Sequence, residues 1–79
     1  MENKAKTKRI LAKLSKFKKY EKRLTVTTWG ESRPQLDLRY WDISTDPATP
    51  GKGMVLTRHE ARLLAESINA YLAEGTTNA

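Results

Sequence analysis

Hydrophobic and polar residues alternate most cleanly over residues 35–41, QLDLRYW. Leu36, Leu38 and Tyr40 fall on one side, and Gln35, Asp37, Arg39 and Trp41 on the other. A period of two marks a strand with one covered face, and the leucine side is the expected core. Residues 22–29, KRLTVTTW, are rich in β-branched and aromatic residues and predict a second strand. Leu24, Val26 and Thr28 share one of its faces; Arg23, Thr25, Thr27 and Trp29 share the other. GESRP between the two reads as a hairpin loop. Residues 42–51, DISTDPATPG, hold two prolines and a glycine and read as a loop, with a short strand KGMVLT after it that turns Met54 and Leu56 inward.

From Thr57 the period changes. Thr57 and Glu60 make a T-R-H-E capping box. Ala61, Leu64, Ala65, Ile68, Tyr71 and Leu72 then recur at three- and four-residue steps, which predicts an amphipathic helix over 58–73 closed by Gly75. Residues 8–19 fit two periods. Ile10, Leu14 and Phe17 share a helical face, Ile10, Ala12 and Leu14 a strand face, and propensity alone favours a basic amphipathic helix. The outline is one domain over residues 8–73, between a flexible basic N-terminus (1–7) and a flexible C-terminus (74–79).

A chain of 79 residues buries only about 60% of the surface that its unfolded form exposes, so its core needs support. With no cysteine and a single histidine, disulfides and Cys/His zinc sites are excluded. Self-association remains. The wide helical stripe is the expected dimer interface, with Leu64, Ile68, Tyr71 and Leu72 at its centre. No apolar run reaches the roughly 18 residues of a membrane span, and no signal-like stretch opens the chain. The expectation is a cytoplasmic protein, nucleoid-associated if bacterial.

Charge gives the partner its sign. Residues 1–23 hold ten cations and two acids, a balance of +8, while residues 24–79 hold five cations and seven acids, −2. Such a segment suits a polyanion. Catalysis finds no support: there is no phosphate-binding glycine loop, no H-E-x-x-H and no cysteine nucleophile. His59 sits in the first helical turn, and Asp37, Asp42 and Asp46 are scattered. No enzyme, cofactor, metal or small-molecule substrate is expected. Trp29, Arg39 and Trp41 lie on the side that the leucines do not use. Two exposed indoles need a cover, and the bases of a single strand provide one by stacking.

The ordered set Trp29, Pro34, Asp37, Arg39, Trp41, then P-G-K-G-M-V-L-T and a helix, resembles the transcriptional coactivator family called positive cofactor four, above all its short bacterial members. The likeness runs from about Arg9 to Leu72 and is strongest over Trp29–Thr57. It implies an α+β fold in which a four-stranded antiparallel sheet precedes one C-terminal helix, and two copies pair through their helices. It assigns residues 8–15 to a strand, against local propensity. It also implies sequence-tolerant binding of single-stranded DNA, in transcription, replication or repair. Trp29 and Trp41 match the stacking aromatics, Arg39 the strand arginine and Lys52 the lysine before the last strand. Lys16, Lys18, Lys19 and Lys22 complete the expected phosphate contacts. The eukaryotic members read R-E-Y-W where this chain has R-Y-W, loop 42–51 is about two residues longer than the bacterial pattern, and the serine-rich tail of the eukaryotic members is missing. Three other readings compete: RNA on the same platform, a protein–protein adaptor with a basic arm, and a membrane-surface helix over residues 8–19.

Overall fold

The computed structural model describes residues 5–75, which form a four-stranded antiparallel meander followed by one helix. The strands are β1 (Ala5–Phe17), β2 (Tyr20–Trp29), β3 (Gln35–Asp42) and β4 (Thr49–Leu56), paired in that order, and the helix is α1 (Arg58–Gly75). The α+β fold class expected from the sequence is what forms. Residues 1–4 and 76–79, most of the two ends read as flexible, lie outside the described residues. Residues 5–7 belong to β1, and residues 74 and 75 continue the helix.

Each boundary has a local cause. β2 ends where Gly30 takes a left-handed φ of 57°, a conformation that glycine adopts without a Cβ penalty. The Ser32 amide then closes the turn on the Trp29 carbonyl at 2.9 Å. The helix starts on its capping box: the Glu60 amide donates to Thr57 Oγ1 at 3.0 Å, and the Thr57 amide donates to Glu60 Oε1 at 2.9 Å. β4 begins at Thr49, three residues before the expected Lys52. Pro50 is tolerated because β4 is an edge strand, where a residue without an N–H donor has a solvent side to face.

β1 resolves the ambiguity of residues 8–19 in favour of a strand, but not a regular one. Its pairing with β2 slips at three places, between Thr7 and Arg9, Ile10 and Ala12, and Lys13 and Ser15. Each slip is a bulge that bends the strand and raises its twist. Ile10 therefore lies opposite Thr25, while Ala12 lies opposite Leu24 on the other face. Ile10 and Ala12 do not share a face as the simple period of two implies.

The molecule is thin, 49 × 31 × 18 Å, with a radius of gyration of 14.5 Å; a compact chain of this length has about 12 Å. The helix meets the sheet chiefly at the end of β4 and does not fold back over either face. Its apolar stripe is consequently uncovered within one chain, with Ile68 47% exposed.

Candidate nucleic-acid interface

The two faces of the sheet reverse the expected burial. Trp41 is only 4% exposed, and Thr25, Thr27 and Asp37 are fully buried. All four belong to the face read as outward. The leucine face is open: Leu24, Val26, Leu36 and Leu38 are half-buried, and Met54 and Tyr40 are exposed. The edge strand β1 carries three bulges. Each bends β1 and raises the local twist, and burial on the two faces is unequal.

The crowded face holds a closed polar network. Asp37 accepts the indole Nε1–H of Trp29 on Oδ2 at 2.7 Å and the Nε–H of Arg39 on Oδ1 at 2.6 Å. Arg39 also donates from Nη1 to the Gly51 carbonyl at 2.9 Å, and its guanidinium lies 4.6 Å from the centre of the Trp29 ring. Arg23 and Arg39 are direct cross-strand neighbours, an arrangement of like charges that is destabilising by itself. Each has its own carboxylate: Arg23 Nε–H donates to Glu21 at 2.7 Å, as Arg39 does to Asp37. Trp41 makes no side-chain hydrogen bond among the described residues and is held by packing, with the Arg23 guanidinium 5.9 Å from its ring centre. Gly53 stands opposite Arg39, and a Cβ there would come within 1.8 Å of the Arg39 Cβ. Only glycine fits.

These contacts bear on three of the expected site residues, and overturn the exposed placement of one. Trp41 is core, not a surface aromatic. Arg39, with a side chain 12% exposed and three partners, is committed to the fold. Trp29 is half-buried, with its donor and one ring face already used.

The exposed aromatics are others. Phe17 (69% exposed), Tyr20 (40%) and Tyr40 (41%) stand together at one end of the open face. Phe17 and Tyr20 are paired across the β1–β2 turn, and Tyr40 lies opposite Lys22 on the next strand. With Gly51 and Lys52 they line a cleft of about 450 Å³. A lysine ammonium lies near each ring: Lys18 over Phe17 at 5.4 Å, Lys19 over Tyr20 at 5.4 Å and Lys22 over Tyr40 at 5.3 Å. Four of the five expected phosphate-binding lysines, Lys18, Lys19, Lys22 and Lys52, are thereby brought together. Lys16 is exposed but projects from the opposite face, across from Glu21. Lys19 reaches Asp42 at 3.4 Å. Among the described residues no carboxylate comes within ion-pair distance of Lys18, Lys22 or Lys52.

Sequence reading missed Phe17 and Tyr20 as site residues, although F-K-K-Y, two aromatics bracketing two lysines, was a legible signal. Asp42 is the acid at the rim. Its carboxyl is held below the usual aspartate range, first by the Ser44 hydroxyl at 2.6 Å, then by the Ser44 amide at 3.0 Å, with a smaller part from Lys19. Among the described residues no three His, Asp or Glu side chains gather into a metal site, and no helix is long and apolar enough to cross a membrane.

Comparisons with protein-family models, with curated proteins and with solved structures find no match for this chain.

Proposed function

We propose that this protein is a homodimer that binds single-stranded DNA with little sequence preference, through the lysine-rich end of its open sheet face. The observation that carries the reading is the gathering of Lys18, Lys19, Lys22 and Lys52 around exposed aromatic rings. Lysines alone would have a plainer role, since exposed charges also keep a protein surface solvated. Aromatic rings left open among them have no such use. The resemblance to the positive cofactor four family points the same way. The stripe of α1 supports pairing through the helices, because Leu64, Ile68, Tyr71 and Leu72 stay exposed among the described residues.

The test compares oligo-dT, oligo-U and duplex DNA of equal length at about 150 mM salt. Oligo-dT is expected to bind best. With about five phosphate contacts, log K falls against log salt with a slope near −3.5, at roughly 0.7 per contact on a single strand. Equal binding of oligo-U would make the platform one for RNA as well. Failure to bind any of the three would leave the adaptor reading. For the dimer, Leu64→Asp or Ile68→Asp is expected to give monomers or unfolded chain in sedimentation, and a stable monomer of the unaltered protein at micromolar concentration would end that part of the proposal.

A further inference from the structure

We infer that the cleft between Phe17, Tyr20 and Tyr40 takes an unpaired nucleobase of the bound strand. This inference rests on the proposed single-strand binding and assigns its stacking contact to residues other than the two tryptophans. The cleft, about 450 Å³, falls within the about 300–1,000 Å³ of small-ligand sites. Its lining is three aromatic side chains, a glycine backbone and one lysine. The charge around it is cationic, which matches the phosphates on either side of a base. A base inside a duplex has both faces stacked and could not enter.

The lysines over the rings do not close the site. An exposed cation–π contact is worth about 0.5–1 kcal/mol, and a base stacked on an aromatic side chain about 1–3 kcal/mol. The base therefore displaces the ammonium groups, which swing to the phosphates. The turn that joins the two aromatics carries a further sign. Lys18 holds a left-handed φ of 57°, which is unfavourable for a residue with a Cβ. Glycine would fit the turn better, yet the position carries a cation beside Phe17. Strain kept at a charged turn is the kind found at binding sites.

The experiment titrates the full-length protein with oligo-dT and with an abasic strand of the same length, which carries the phosphates without the bases. The parent is expected to prefer oligo-dT. Phe17→Ala and Tyr40→Ala should each weaken oligo-dT binding about 5- to 150-fold and leave the abasic strand nearly unaffected. Lys18→Gly relieves the turn, so it should melt no lower than the parent while flattening the salt slope by about 0.7. A parent that binds neither strand would sink single-strand binding itself. A parent that binds both strands equally, or variants that keep the full preference for oligo-dT, would overturn the cleft and leave single-strand binding standing. If Phe17→Ala or Tyr40→Ala instead turns the dimer into monomers, the cleft is covered by a second copy and the inference is wrong.

Discussion

The two faces of the sheet have opposite compositions and, against intuition, opposite fates. One is built of Arg23, Thr25, Thr27, Asp37 and Arg39 with two tryptophans, Trp29 and Trp41, and is closed. The other is built of leucines, a valine and tyrosines and is open. Polarity does not decide burial here: most polar groups of the closed face have partners, the Trp41 indole N–H being the exception among the described residues. A buried polar group is costly only when it lacks a partner, and on the closed face Asp37 answers both Trp29 and Arg39 while Glu21 answers Arg23. The open face cannot be satisfied within one chain, because apolar area is stabilised only by removal from water. It is the side that needs company, and the helix, which stands clear of the sheet, shares that need.

Breaking the closed face should have the largest effect. Asp37→Ala strands the Arg39 guanidinium and the Trp29 indole together, and removing one partner of a buried ion pair costs about 3–5 kcal/mol. Small domains hold only about 5–15 kcal/mol in all, so the variant is expected to be largely unfolded or to melt far below the parent in denaturant titration. A loss under about 1 kcal/mol would mean that water reaches this face and that the contrast between the faces is wrong.

Trp41 and Tyr40 sharpen the comparison because they are neighbours on opposite faces. Trp41→Ala empties a packed site and should cost about 3–5 kcal/mol. Tyr40→Ala removes an exposed ring and should stay within about 0.5 kcal/mol. Affinity should divide in the opposite sense, with oligo-dT binding lost at Tyr40 and kept by whatever fraction of Trp41→Ala remains folded. Measuring melting and binding on both variants gives four numbers, and any pattern in which the two residues behave alike removes the distinction between the faces.

Much of this was legible in the chain. The alternation over 35–41, the turn at Gly30 and the Thr57–Glu60 cap are local features, and local features are where residue chemistry and backbone conformation are most directly tied. What was not legible is which face of the alternation is covered. A period of two locates the faces and is silent on which of them the fold covers. Bulges hid β1 itself, because a strand whose register slips every two or three residues no longer shows a clean period: Ile10 and Ala12 end on opposite faces. The cleft was hidden too. Tyr40 shares its period with the leucines, and Phe17 and Tyr20 meet it only through strand pairing, which alternation alone does not show.

The smallest expected effect concerns Asp42, the acid at the rim of the open face. Its ordinary value, about 3.9, is lowered in the folded protein by the Ser44 hydroxyl and amide, with help from Lys19. A carboxyl that is more acidic folded than unfolded stabilises the fold at every pH above its unfolded value. That contribution fades as pH falls through the lowered folded value. Asp42→Asn removes the charge and keeps an oxygen for Ser44. The variant should therefore melt slightly below the parent at neutral pH, and the two curves should converge below about pH 4. The Lys19 side chain is exposed and that of Asp42 partly so, so added salt should shrink the part of the gap that comes from Lys19. On the binding side the same change frees the Lys19 ammonium and should tighten oligo-dT binding a little at neutral pH, the opposite sign to its effect on melting. A carboxylate that only repelled its neighbours would raise melting when neutralised. One whose work is to hold Lys19 and the start of the 43–48 loop lowers melting and raises affinity together, so the signs of the two changes, more than their sizes, separate these roles.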